Sequence, residues 1–163
     1  MAGITAIYPG SFDPITNGHI GILTRGLIVF DKIIISIAIN TRKETLFSVE
    51  ERAELIRETF KDNNRVEVDS FSGLTIAYCI KRGARVILRG LRAVADFEYE
   101  LQMANMNKKL EPSVETLFMM TSEEHFFVSS RSVKEVASFN GKIDIVVPPH
   151  VATALRNKYG FSR

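Results

Sequence analysis

Apolar residues recur along this chain with two periods that take turns. Ile4, Ala6 and Ile7 read as a short strand, and Pro9-Gly10 as the turn that ends it. Ile20, Leu23, Leu27 and Phe30 then fall at helical spacing, and 33–39 is a continuous apolar run of the kind a strand buried on both faces requires. The stretch 48–60 predicts a helix that opens on a capping box, with Ser48 capping and Glu51 reaching back. Residues 65–71 alternate as a strand does. Residues 75–82 return to helical spacing and stop at Gly83, a residue suited to a helix C-terminus. A short strand over 85–88, the longest helix over 95–110 and a fifth strand over 115–120 follow. Ser129 or Ser130 caps a helix running through Phe139, and Pro148-Pro149 leads into a last helix at about 149–159, with Pro149 in its first turn.

Strand-then-helix units joined by short connections predict an α/β fold: a Rossmann-like, doubly wound, five-stranded parallel sheet with helices on both faces, built as one domain over 1–163. In such sheets ligands sit outside the carboxyl ends of the strands. The unusual polar residues cluster there. Ser11, Asp13, Asn17 and His19 follow the first strand, and Asn40, Thr41, Arg42 and Lys43 the second. Ser70-Phe71-Ser72-Gly73 follows the third, Arg89-Gly90-Leu91-Arg92 the fourth, and the stretch from Thr121 to Arg131 the fifth.

Composition narrows the class without naming it. A net charge of +2 with 25% charged residues gives no ground for bulk binding to nucleic acid or to an anionic membrane. The apolar run 33–39 is far short of the roughly 20 residues that cross a bilayer, and no basic leader with an apolar core opens the chain, so a cytoplasmic location is expected. Cys79 is the single cysteine, which excludes an internal disulfide; its neighbours Ile76, Ala77 and Ile80 place it on a packed helix face.

The chemistry concentrates at 8–19, YPGSFDPITNGH. A strand, a turn and a helix N-terminus can hold phosphate, because free backbone N–H groups and the positive end of the helix dipole converge on the turn. Neither G-x-x-x-x-G-K-[ST] nor G-x-G-x-x-G occurs in the chain, and an imidazole stands where a Walker loop would supply lysine.

Together with RGLRAVADFEYE at 89–100 and SSRSVKEVA at 129–137, this segment resembles the phosphopantetheine adenylyltransferases, nucleotidyltransferases marked by [HT]-x-G-H, here Thr16-Asn17-Gly18-His19. The resemblance runs from Ile7 to about Phe139. It implies transfer of the adenylyl group of ATP to 4′-phosphopantetheine in coenzyme A synthesis, giving 3′-dephospho-coenzyme A and pyrophosphate, with Mg²⁺ accompanying ATP and no side-chain metal site. It implies catalytic roles for His19, Lys43, Arg92 and Ser11. It places ATP against Ser11, Phe12, His19, Gly90, Leu91, Arg92, Glu100 and the run His125, Phe126, Phe127, Val128, Ser129, Ser130 and Arg131. The acceptor falls to Ser11, Lys43, Thr75 and Arg89. It also implies a homohexamer and coenzyme A as a feedback ligand. The chain departs from the pattern at His125, where the resemblance leads to an aromatic residue, and at Arg131, where it leads to Ser or Thr.

The chemistry needs such residues. An ionised acceptor phosphate attacks the α-phosphorus in line, so no general base is required, and catalysis reduces to holding two anions and stabilising the charge between them. Each residue has a duller reading. His19 can cap its helix, Arg89 and Arg92 can pair with Asp96 or Glu98, Lys43 can be a solvated loop charge, and Met103 and Met106 can be core or a subunit contact. Two other functions stay open: a sister nucleotidyltransferase with another acceptor such as nicotinamide mononucleotide, and a non-catalytic nucleotide-binding regulator.

Overall fold

The computed structural model describes residues 3–40, 44–92 and 94–161. Its strands β1 (Thr5–Gly10), β2 (Lys32–Ile39), β3 (Val66–Ser72), β4 (Val86–Leu91) and β5 (Glu115–Met120) form one sheet in the order β3-β2-β1-β4-β5. Every neighbouring pair is parallel. The helices are α1 (Asn17–Val29), α2 (Val49–Thr59), α3 (Thr75–Lys81), α4 (Val94–Leu110), α5 (Ser130–Ser138) and α6 (Pro149–Lys158). The expected doubly wound sheet with helices on both faces is the observed one. Strands run outward from β1 to β3, then the chain crosses back to lay down β4 and β5, so the direction of winding reverses between β1 and β4.

Alternation along the central strands divides the core. Ala6, Ile33, Ile35, Ile37 and Leu88 face α1, α2, α5 and α6, packing on Leu23, Ile56, Val133 and Leu155. Ile7, Ile34 and Ile87 face the other way, onto Ile76 and Cys79 of α3. The α2 cap forms as the sequence indicates: the Ser48 hydroxyl accepts from Glu51 N at 3.2 Å, and Ser48 N donates to the Glu51 carboxylate at 2.8 Å. Gly83 adopts φ 65°, the left-handed conformation expected of it after α3. Cys79 is fully buried and its thiol donates to Ala84 O, so it is packing, with its pKa pushed up by burial to about 11. No helix among the described residues is long and apolar enough to cross a membrane.

Three local readings need correction. Pro9 and Gly10 are the last residues of β1 instead of a turn after it. Segment β4 extends through Leu91, so Arg89, Gly90 and Leu91 lie within a strand that the pattern ended at 88. Strand β3, expected over 65–71, runs one residue further, to Ser72, so the polar stretch placed after it largely lies within it. The first two share a cause. A parallel strand next to a ligand cleft continues on hydrogen bonds to its neighbour, while its side chains turn polar or small to meet the cleft. Pattern reading then stops too early.

The core placement carries a stability prediction. Ile35 is fully buried in β2 at the centre of the larger cluster. Ile35→Ala is expected to cost ~2–5 kcal/mol, read as a lowered midpoint in urea unfolding with the denaturant slope unchanged.

Candidate active site

A cleft of ≈ 320 Å³ opens at the carboxyl ends of β1 and β4, where the winding reverses. The two strands are paired only at Ala6–Val86 and Ile7–Ile87, although both continue toward the cleft. Pro9 accounts for the opening. Its carbonyl points to the β4 side, where it accepts from Arg89 Nη1 at 2.7 Å, so its missing N–H faces β4 as well. The ladder stops there, and the Arg89 side chain bridges the gap.

Arg89 is fixed from its other edge by Glu100 of α4, with Nε donating to Oε2 at 2.7 Å and Nη2 to Oε1. Burial works against the Arg89 charge, but the Glu100 carboxylate outweighs it and its pKa is raised. A Cβ at Gly90 would lie 3.2 Å from Ile22 Cγ1, a tight contact that a larger residue could make only by displacing Ile22. Arg92 pairs with Asp96 one helical turn on, at 3.0 Å and 3.3 Å, the structural pairing its spacing allowed; both residues line the cleft.

The opposite wall comes from the β1–α1 loop. Phe12 adopts φ 47°, left-handed for a large residue, with its buried ring edge-on to Tyr8 at 5.4 Å and to His19 at 5.1 Å. His19 is the third residue of α1, and its Nδ1 accepts from Thr16 N–H at 3.1 Å, with the Thr16 hydroxyl 3.0 Å away. A proton on Nδ1 would collide with the Thr16 amide proton. The neutral ring therefore carries its proton on Nε2. Its capping role and its availability as a donor are thus one arrangement, because the cap occupies only Nδ1. Burial, then the nearby Arg92 and Arg89 charges, lower its pKa from 6.5 to about 4.

The third wall is the start of α5. Ser129 caps that helix, its hydroxyl accepting from Ser132 N at 3.0 Å, and Ser130 Oγ donates to Pro14 O at 2.7 Å. The cleft therefore receives two helix N-termini, at Gly18-His19 and at Ser129–Arg131, together with Arg89, Arg92 and Arg131. Such a site attracts an extended polyanion. Arg131 adds a cation to it. Among the described residues no group of three His, Cys, Asp or Glu is placed to hold a metal ion.

Of the residues singled out from sequence, Ser11, Phe12, His19, Arg89, Gly90, Arg92, Glu100, Val128, Ser129, Ser130 and Arg131 line this one cleft. Leu91 is buried beside it, its carbonyl accepting from Thr121 N at 2.8 Å. His125 stands next to Gly18, while Phe126 and Phe127 are exposed beyond the lining, and Thr75 opens α3 away from it. Thr41, Arg42 and Lys43 lie outside the described residues. The sequence reading passed over Tyr8, whose phenol is kept protonated by burial, and the orienting role of Thr16. The signal for Thr16 was present: its spacing of three from His19 is that of a capping box with imidazole in place of carboxylate.

Residues 7–136 match the cytidylyltransferase-like family. A crystal structure from Vibrio parahaemolyticus, provisionally assigned as a nicotinate-nucleotide adenylyltransferase, superposes with a TM-score of 0.70 over 93% of this chain and 97% of its own, at 18% identity, a likeness of fold alone. The chain is thus a cytidylyltransferase-like nucleotidyltransferase. Proteins named phosphopantetheine adenylyltransferase from Anaeromyxobacter dehalogenans (56% identity, covering 95% of this chain and 94% of the relative) and Geobacter metallireducens (52%, covering 97% of each) match nearly end to end. A third from Syntrophotalea carbinolica is 54% identical over 98% of this chain and 96% of its own. Within the wider family, the chain belongs to the phosphopantetheine adenylyltransferases.

The depressed His19 pKa has a testable sign. Unfolded histidine takes up a proton near pH 6.5, whereas the folded ring does so only near 4. This group therefore leaves stability whole above about pH 6.5 and removes it progressively as the pH falls toward 4. Nitrogen NMR of the ring is expected to show a neutral Nε2–H form at pH 6, with protonation below pH 5; an imidazolium at pH 6 contradicts the assignment.

Proposed function

We propose that this cleft transfers the adenylyl group of ATP to 4′-phosphopantetheine, releasing pyrophosphate and forming 3′-dephospho-coenzyme A. The family membership carries the reaction class and the acceptor. The observation that carries the mechanism is the His19 ring, neutral at physiological pH and held so that Nε2–H is free.

The reaction runs between two anions. The acceptor phosphate is already ionised and attacks the α-phosphorus as pyrophosphate leaves on the far side, so the protein must position and stabilise; no proton need be abstracted. His19 donates from Nε2 to the α-phosphate as its charge redistributes. A donor fixed in advance reorganises little during the step. Binding of polyanionic ATP also offsets the repulsion that Arg89 and Arg92 exert on a charged ring. Ser11 and the start of α5, Ser129–Arg131, hold the triphosphate with Arg92, whose exchange from Asp96 to phosphate keeps a charged partner throughout. Arg89, aimed by Glu100, and Lys43 receive the acceptor phosphate, while Phe12, Gly90 and Leu91 shape the nucleotide side. Thr75 and the run His125, Phe126 and Phe127 belong to the outer reaches of the acceptor and nucleotide sites.

Mg²⁺ enters with ATP in this reading. The two carboxylates lining the cleft, Asp96 and Glu100, are engaged by Arg92 and Arg89, so the donor set fits a cation carried on phosphate oxygens and water. Bound with ATP, it would supply charge neutralisation to the leaving pyrophosphate. Coenzyme A, which carries both an adenylate and a pantetheine arm, competes for the same cleft. The lone buried Cys79 suits a reducing, cytoplasmic setting.

A homohexamer accompanies the reading. Met103 and Met106, open between core and subunit contact, are 39% and 56% exposed and share one helical face with exposed Tyr99 and Leu110 of α4. That apolar surface favours association of copies; the number six rests on the family resemblance. Sedimentation at micromolar concentration is expected to give a hexamer, and a monomer overturns it.

Purified protein with Mg·ATP is expected to release pyrophosphate only when 4′-phosphopantetheine is added, with dephospho-coenzyme A as the product. Release with nicotinamide mononucleotide instead would move the assignment to a sister enzyme. His19→Ala is expected to lower kcat by ~10²–10³. Near-parental turnover in that variant removes His19 from the mechanism.

A further inference from the structure

Asp13 lies directly behind the wall that carries Ser11, Phe12 and His19, yet it does not line the cleft. It is 4% exposed and has partners on two other connections. Its Oδ2 accepts from Leu46 N at 3.0 Å and its Oδ1 from Phe47 N at 2.9 Å, both in the β2–α2 connection, and Lys134 Nζ of α5 lies 2.5 Å from Oδ2. Burial works to raise the carboxyl pKa, but the hydrogen bonds from Lys134, Phe47 and Leu46 prevail and hold it below the ordinary value.

Lys134 sits one helical turn after Ser130, so its ammonium reports where the start of α5 stands. That charge is not the only anchor of the helix. Val133 and Ala137 anchor α5 in the core, and without Lys134 the Asp13 carboxylate keeps two amide donors. What the ion pair adds, with the Ser130–Pro14 hydrogen bond beside it, is a direct tie between two cleft walls more than a hundred residues apart in sequence.

We infer that the Lys134–Asp13 pair is a positioning device: it sets the distance between the His19 wall and the serine turn of α5, and through it the alignment of the α-phosphate held by one with the phosphates held by the other. Neither side chain touches the reacting atoms. The inference rests on the adenylyl-transfer reading. Its signature is a loss in the chemical step with ground-state binding retained, because a small misplacement removes transition-state contacts before it removes substrate affinity.

The test compares the parent, Lys134→Met and Lys134→Arg in steady-state pyrophosphate release with Mg·ATP and 4′-phosphopantetheine, alongside thermal unfolding. Lys134→Met is expected to lower kcat ~10–100-fold with KM for both substrates within ~3-fold of the parent, while the protein remains folded at the assay temperature. Lys134→Arg, which restores a cation to Asp13, is expected to recover kcat to within ~3-fold of the parent. Should the methionine variant not fold, Lys134→Gln, which keeps a neutral donor, carries the same expectation of reduced kcat at unchanged KM.

An unchanged kcat in Lys134→Met overturns the inference. So does a loss that arginine fails to rescue, or one that only follows the folded fraction. Parental activity with 4′-phosphopantetheine separately tests the functional reading. The variant-to-parent ratio tests the pair with whichever phosphate acceptor the parent uses.

Discussion

The site depends on a gap in the sheet. A parallel sheet with β1 and β4 paired along their whole length would close its own crevice. Pro9, lacking an N–H on the side that faces β4, ends the ladder two residues after the last pair at Ile7–Ile87. Proline is rare inside a central strand because it removes a ladder bond. Here that removal opens the cleft, and the orphaned Pro9 carbonyl becomes the point at which Arg89 is fixed. The fixed Arg89 side chain and the space it lines thus share one cause.

Around that opening the electrostatics are arranged to favour an anion without charging the donor that faces it. Arginines at 89, 92 and 131 and two helix N-termini make the cleft positive. Burial, aided by the Arg92 and Arg89 charges, keeps the His19 ring neutral. Thr16 then decides which nitrogen bears the proton, so Nδ1 is occupied and the ring keeps Nε2–H as a donor. Glu100 and Asp96 orient Arg89 and Arg92; the Arg92–Asp96 pair is the one a dull reading of the sequence foresaw, whereas Arg89 pairs with Glu100, which the family resemblance had assigned to the nucleotide. Structural and functional readings of these arginines do not exclude each other.

Most of the architecture was legible in the order of periodic segments. The capping box at Ser48, the stop at Gly83 and the fifth strand at Glu115–Met120 rest on local rules that tertiary contacts did not override. Reading failed where strands meet the cleft, at Pro9-Gly10 and at Arg89–Leu91. There the side chains answer to a ligand site, and the hydrogen bonds that keep the chain extended come from a neighbouring strand.

By itself, the sequence determined the doubly wound class and the α2 cap, and it singled out most of the residues that line the cleft, the first two through spacing along the chain and the third through motifs that resemble a known family. The tertiary structure alone decided that β1 and β4 lie side by side, that Nδ1 of His19 is occupied by Thr16 while Nε2 is free, and that Lys134 meets Asp13 across the fold. Strand order, tautomer and long-range pairing depend on which surfaces pack together. Periodicity along the chain carries no record of that choice.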